Sequence, residues 1–183
     1  MSIYTRTGDK GMTALYGGKR VLKCNELVDV YGSIDELNSW IGLVSSKLPT
    51  IESQEFFTRL QSDLFTIGSN LAGFDVDLSS FDHRVLEMEE RIDDMEKELP
   101  KLTSFILPGG SELGSIVHLA RAICRRVERQ TVALHQTQVV DGKIITYLNR
   151  FSDFLFMLAR FVNKEKGTTE VLWSGIDRFN QKK

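Results

Sequence analysis

Lys143-Ile144-Ile145-Thr146-Tyr147-Leu148-Asn149-Arg150-Phe151-Ser152-Asp153-Phe154-Leu155-Phe156-Met157-Leu158-Ala159-Arg160-Phe161-Val162-Asn163 decides the fold of this chain. It predicts a helix on which Leu148, Phe151, Phe154, Leu155, Phe156, Leu158, Phe161 and Val162 cover most of the circumference. A helix that is apolar on most sides needs neighbours on most sides, so this one is expected to be the most buried. Four further helical patterns precede it. The first carries Val30, Ile34, Leu37, Ile41 and Val44 at alternating spacings of four and three and ends before Pro49. Ser33 and Glu36 could form a capping box, so it starts near residue 26 or near residue 33. The second runs from about Ser53 to Leu71, with Phe57, Leu60, Leu64 and Ile67, and Gly73 can stop it. The third carries Val85, Met88, Ile92, Met95 and Leu99, and its charged remaining faces mark an outer helix. The fourth follows Pro108-Gly109-Gly110, with Ser111 as N-cap and Leu113, Ile116, Val117, Ala120, Ile123, Val127 and Leu134 as its stripe.

Spacings near 3.5 and short connections predict an all-α, five-helix up-down bundle. The expected division is one domain over residues 1–183: an irregular N-terminal segment (1–25), the bundle (26–165) and a tail (166–183) with Val171, Leu172 and Trp173. No strand alternation is visible, and Phe74 to Asp82 reads as a loop.

At 183 residues the chain suffices for one well-buried domain, and 42% hydrophobic with 26% charged residues is ordinary for a globular protein. A formal net charge of -2 speaks against bulk binding of nucleic acid or anionic membrane, and no apolar run reaches membrane-spanning length. Cys24 and Cys124 lie far apart with no C-x-x-C, and the N-terminus shows no signal-like apolar region. A mature, reduced, cytoplasmic protein is expected. His83, His118 and His135 have no metal spacing, and the absence of any Glu-x-x-His argues against a di-iron bundle. No Ser-His-Asp or Cys-His arrangement points to covalent catalysis.

Several polar groups do not serve a bundle. Thr5-Arg6-Thr7-Gly8-Asp9-Lys10-Gly11-Met12-Thr13 puts glycines, hydroxyls and cations together ahead of any helix. It can wrap a phosphate, or it can be a solvated arm. It is not a Walker A loop, because Gly8 to Gly11 is too short. On the fourth helix Arg121, Arg125, Glu128 and Arg129 fall within about 100° of one another, with Arg126 farther round. They fit either an anion site, since guanidinium matches phosphate bidentately, or a solvated face with i,i+4 pairs. Asn149, Ser152 and Asp153 interrupt the apolar fifth helix and need partners, either loop backbones or a ribose or adenine edge. Arg150 and Arg160 could pair with Asp153 or with acids of the first helix. Asp35 could support its helix start or hold an arginine. Ser104-Phe105-Ile106-Leu107-Pro108-Gly109-Gly110 could be a hydrophobic staple and turn, or an apolar wall facing a large ligand.

Taken together these segments resemble the PduO-type ATP:cob(I)alamin adenosyltransferases. The resemblance runs through Ile3 to Gly11, Tyr31-Gly32-Ser33-Ile34-Asp35-Glu36-Leu37-Asn38, Phe105 to Gly110, Arg121 to Arg129, and Tyr147 to Asp153. Five motifs in that order over about 150 residues are far more specific than any one alone. The resemblance implies a homotrimer with active sites between subunits, transfer of the 5′-deoxyadenosyl group of ATP to cob(I)alamin, and release of triphosphate. It implies ATP contacts from Thr5, Arg6, Thr7, Gly8, Thr13, Lys23, Arg125, Arg126, Glu128, Arg129 and Asn149, with Mg²⁺ accompanying ATP and no metal site of the protein's own. Asp35 and Arg121 match a pair that bridges subunits near the corrinoid, and Phe105 matches the aromatic that displaces the lower axial base. With Arg125, these are the residues implied in catalysis. Trp173 stands in the place of a tail aromatic closing the corrinoid pocket. Arg6 stands where lysine is common, and Ala14 where a hydroxyl can occur. A corrinoid reductase and an adenosylcobalamin-dependent acceptor enzyme are possible partners. A non-catalytic adenosylcobalamin carrier, a nucleotide-sensing bundle and a structural oligomer are the competing readings.

Overall fold

The computed structural model describes residues 3–174. Residues 175–183 of the expected tail lie outside the described residues. Five long helices form: α1 (Glu26–Lys47), α2 (Ile51–Leu71), α3 (Ser80–Glu98), α4 (Glu112–His135) and α5 (Gly142–Glu165). Their ends follow local chemistry. Thr50 accepts from the Ser53 N–H at the start of α2, Ser111 from Gly114 at α4, and Asp141 from Lys143 at α5. α1 starts at Glu26 because the Asn25 side chain accepts from the Leu27 N–H. The Ser33–Glu36 box is therefore unused, and both residues lie inside the helix. Gly73, at φ 96°, takes the left-handed conformation that ends α2.

Cross-helix pairs fix the directions. Lys47–Glu112, Glu36–Arg126 and Asp29–Gln130 run α4 antiparallel to α1. Asn38 and Gln61 bond each other's backbone carbonyls between antiparallel α1 and α2. Asp82–Lys143, Glu89–Arg150 and Glu98–Lys164 align α3 parallel to α5. The helices thus alternate up and down, and the long connection from Leu99 to Ser111 carries the chain across the bundle end. The core lies where α5 meets the rest. Tyr147, Leu148, Phe151 and Leu155 are fully buried with Leu37, Ile41, Leu60, Leu64 and Ile67. Only Phe81, Met88 and Met95 of α3 are buried, as its charged faces require.

One polar network is built into that core. Asp63 of α2 accepts from Arg84 Nε at 2.8 Å and from the Tyr147 hydroxyl at 3.2 Å. Arg84 also pairs with Glu87, to which Arg59 donates at 2.8 Å. Burial pulls the Glu87 carboxyl up, but hydrogen bonds from Arg59 and Arg84 outweigh it and hold it below the ordinary carboxylate range. Replacing Asp63 with alanine leaves Arg84 and the Tyr147 hydroxyl without their carboxylate, and is expected to cost about 3 kcal/mol of stability in a chemical denaturation experiment.

The N-terminal segment is not irregular throughout. β1 (Met12–Ala14) pairs antiparallel with β2 (Arg20–Leu22), Thr13 opposite Val21. A tight turn at Tyr16–Gly18 joins them, with Gly17 and Gly18 at positive φ. The Tyr16 N–H donates to the Ala72 carbonyl at 3.2 Å and its ring meets Phe74 edge-on, so the hairpin is moored to the C-terminal end of α2. Strands of three residues are too short to show a period of two in sequence.

Candidate active site

α4 and α5 bring five of the expected residues together. Arg121, Arg125 and Arg129 follow one another at single-turn spacing, over about 12 Å of helix. Arg129 donates to the Arg125 carbonyl at 3.0 Å, and Asn149 of α5 donates to Glu128 at 3.0 Å. Arg121 and Arg125 open onto a groove of about 390 Å³ between α3, α4 and α5, with Arg150, Ser152, Asp153 and Phe156 opposite. Arg126 points the other way and pairs with Glu36 of α1. Arg150 bonds Asp153 and Glu89 of α3, both at 2.8 Å. The first-helix acids are not its partners, because α3 and not α1 lies beside that face of α5.

Some polar atoms in and beside the groove have no partner among the described residues. Arg121 Nε, both His118 ring nitrogens and Ser152 Oγ are buried without a hydrogen-bond partner. Such orphans are rare in a finished core, and Asn38 Oδ1, Arg91 Nε and Gln130 Oε1 share the condition elsewhere in the bundle. Burial, then the Arg125 charge, lowers the Arg121 pKa. His118 lies against Phe156, and burial, with the Arg121 charge second, pushes its pKa down to about 4 from 6.5. A histidine neutral in the fold and protonated when unfolded contributes stability that is complete above the unfolded pKa and is lost as pH falls toward the folded one. Stability is therefore expected to decline from pH 6.5 to 5, and His118→Leu to flatten that decline in denaturation midpoints taken across the range.

The N-terminal segment builds its own cluster. The Thr5 and Thr7 hydroxyls bond at 2.9 Å, Arg20 donates to the Thr7 carbonyl at 2.6 Å, and the Lys23 N–H donates to Gly11 at 2.9 Å. The Lys23 ammonium reaches Gly8 so closely that a Cβ there would stand 3.3 Å from it. Arg6 adopts φ 59°, in the left-handed region, and its guanidinium lies over the Tyr4 ring. Thr5, Arg6, Thr7 and Lys23 are exposed and Thr13 half-buried. Among the described residues no hydrogen bond or ion pair joins this cluster to the α4 arginines. Asp35 also stands apart from Arg121, in a groove between α1 and α2 with Tyr31 and Phe65. One chain therefore holds the expected site in separate pieces.

Phe105 is 78% exposed, on the connection between α3 and α4. The tail reaches it: Leu107 N–H donates to Val171 O at 2.8 Å, Trp173 N–H to Phe105 O at 2.7 Å, and the two rings meet edge-on. Sequence reading missed what fixes this arrangement. Arg160 meets neither Asp153 nor the first-helix acids: with Asn163, buried and one turn away on α5, it anchors the loop, and Glu170 joins it to the tail. Two polar residues at i,i+3 on an otherwise apolar helix were the available signal.

The chain belongs to the Cobalamin adenosyltransferase family, whose sequence model matches residues 3–162. Within that class its likeness is to the PduO-type enzymes. It is 43% identical over 177 residues to the corrinoid adenosyltransferase of Bacillus subtilis (strain 168), covering 93% of this chain and 91% of that protein. It is 37% identical over 187 residues to the Homo sapiens corrinoid adenosyltransferase MMAB, covering 96% and 74%. Its fold matches a variant of the PduO-type ATP:corrinoid adenosyltransferase from Lactobacillus reuteri, solved in complex with cobalamin and ATP, at a TM-score of 0.89 and 33% identity over 95% of this chain and all of that one. A second variant of the same enzyme, complexed with ATP, matches at 0.84.

Proposed function

We propose that this chain transfers the 5′-deoxyadenosyl group of ATP to the cobalt of cob(I)alamin, forming adenosylcobalamin and triphosphate. The observation that carries this reading is the match of nearly the whole fold to an enzyme holding cobalamin and ATP, joined to a groove whose arginines and orphaned polar atoms await a ligand. The substrate supplies the nucleophile: a cob(I) centre attacks C5′ directly, and the protein contributes orientation and a water-poor pocket. Charge develops on the oxygen leaving C5′. Arg125, Arg129 and Lys23 are cations of the kind that absorb it, while Thr5, Arg6, Thr7, Gly8, Thr13, Glu128 and Asn149 complete the nucleotide site; Arg126 would join it only on leaving its Glu36 partner. Mg²⁺ accompanying ATP would enter on the triphosphate and neutralise its charge. Phe105, with Ile106 and Leu107, supplies apolar bulk against the lower face of the corrin and displaces the lower base, which makes cob(II) easier to reduce.

The separation of the N-terminal cluster from the α4 groove, and of Asp35 from Arg121, favours a site completed by a second copy in a homotrimer. No helix among the described residues is long and apolar enough to cross a membrane, and both cysteines are unpaired; a reduced cytoplasmic setting, with a reductase supplying cob(I) and an acceptor enzyme taking the product, completes the proposal. An anaerobic mixture of protein, ATP, reductant and cobalamin, followed by its visible spectrum, tests it. Repeated conversion to adenosylcobalamin is expected. A change that stops at one equivalent would mean a carrier, and none at all a structural bundle.

A further inference from the structure

Phe105 combines two properties that seldom occur together: its ring is in solvent, and its backbone is held from several directions. The loop around it is anchored at both ends by one face of α5. Asn163 donates to Gly109 O at 2.8 Å and accepts from the Ser111 N–H and hydroxyl at 2.9 and 2.8 Å. That anchor is tight, because a Cβ at Gly110 or Gly114 would lie inside the Asn163 amide. One turn earlier, Arg160 Nη2 donates to Pro100 O at 2.9 Å. The same guanidinium grips both Glu170 oxygens, at 2.9 and 3.2 Å. The Arg160 side chain is 4% exposed and that of Glu170 17%. Immediately after Glu170, Val171, Leu172 and Trp173 pair with Leu107, Ile106 and Phe105.

We infer that Arg160 and Glu170 are positioning residues for Phe105, a buried guanidinium–carboxylate clamp that lays the tail strand along the loop and fixes the exposed ring. The inference rests on the proposed role of Phe105. A bidentate pair held by a third acceptor is among the more geometrically specific contacts a protein makes. It is needed here because the loop's own residues bury little: Leu102, Phe105 and Leu107 are all exposed. Among the described residues, two backbone bonds and the Phe105–Trp173 ring contact are what else keeps the tail strand on the loop, and backbone bonds open to water hold weakly.

Three variants of the full chain test this: Glu170→Ala, Glu170→Gln and Phe105→Ala, with the double variant Phe105→Ala/Glu170→Ala. Each is assayed for adenosylation starting from cob(II)alamin and from pre-reduced cob(I)alamin, for the base-off fraction of bound cob(II)alamin by its visible and electron paramagnetic resonance spectra, and for amide exchange at Leu107 and Trp173. Glu170→Ala is expected to speed exchange at both amides, reduce the base-off fraction and slow the cob(II) reaction roughly tenfold, since small misplacements of a positioning group are felt at that scale. The cob(I) rate and the KM for ATP should stay within about twofold. Glu170→Gln, which keeps one acceptor for Arg160, should fall between it and wild type, and the double variant should match Phe105→Ala. Unchanged amide exchange, a wild-type base-off fraction in Glu170→Ala beside an impaired Phe105→Ala, additive losses in the double variant, or equal losses from both cobalt states would each overturn the clamp. A wild-type Phe105→Ala would instead overturn the base-displacement role, with the clamp still judged by exchange at Leu107 and Trp173.

Discussion

Phe105→Ala is expected to slow adenosylation from cob(II)alamin by roughly ten- to hundredfold while leaving the KM for ATP nearly unchanged. The size follows from what the ring would do. Covering an apolar face with a phenylalanine side chain is worth about 1.5–3 kcal/mol, and each 1.4 kcal/mol is about tenfold in rate. The variant should fold, because the ring touches Trp173 edge-on and little else, while the bonds that fix the loop use the backbone. ATP binding should survive because Phe105 sits on the crossover loop, more than two turns before Arg121 on α4. Supplying pre-reduced cob(I)alamin should restore most of the rate, since the base-displacement step is then bypassed. Wild-type turnover from cob(II)alamin would remove Phe105 from the mechanism.

Arg125→Ala is expected to lower kcat/KM for ATP by roughly a hundredfold or more, the usual cost of removing one preorganised donor from a developing anion. Arg125 is exposed and lines the groove, and among the described residues no carboxylate pairs with it. Its guanidinium is therefore free for a phosphate. The bond it accepts from Arg129 uses the backbone carbonyl, so helix α4 should remain intact and thermal stability should stay close to wild type. Arg125→Lys should recover only part of the loss, because an ammonium cannot make the planar two-pronged contact. A variant with unaltered ATP kinetics would show that the nucleotide lies elsewhere.

The bundle was legible because long helices repeat their signal. Val30 to Val44 and Leu113 to Leu134 show their buried faces many times over, and Ser111 declares the start of α4 by its type and place. Single-residue choices were less legible. Ser33 and Asn25 are both good caps, and only the packing of Leu27 and Val30 against the bundle selects the earlier one. The β1–β2 hairpin escaped because its three-residue strands are held by Tyr16 on Ala72, a contact distant in sequence. The common face of Arg121, Arg125 and Arg129 could be read from helical spacing, and the polar interruption at Asn149 from the apolar pattern around it; their role in a site came only with the resemblance. Arg150 could not be assigned to Glu89, because many acids lie at plausible distances along the chain and the parallel neighbourhood of α3 and α5 is a property of the whole topology. Glu170 was invisible for the same reason: its meaning depends on where the tail returns. Among the described residues no ion pair joins Asp35 to Arg121, and their pairing is implied by the resemblance alone.

In the proposed reaction the cobalt of the corrinoid, and no group of the protein, attacks C5′ of ATP. The most direct measurement mixes a small amount of the protein with ATP and chemically reduced cob(I)alamin under anaerobic conditions and quantifies adenosylcobalamin and inorganic triphosphate together. One triphosphate per adenosylcobalamin is expected, with many of each formed per protein chain and neither formed until both substrates are present. Triphosphate released before cob(I)alamin is added, with the adenosyl group left on the protein, or a reaction that ends after one equivalent, would contradict it.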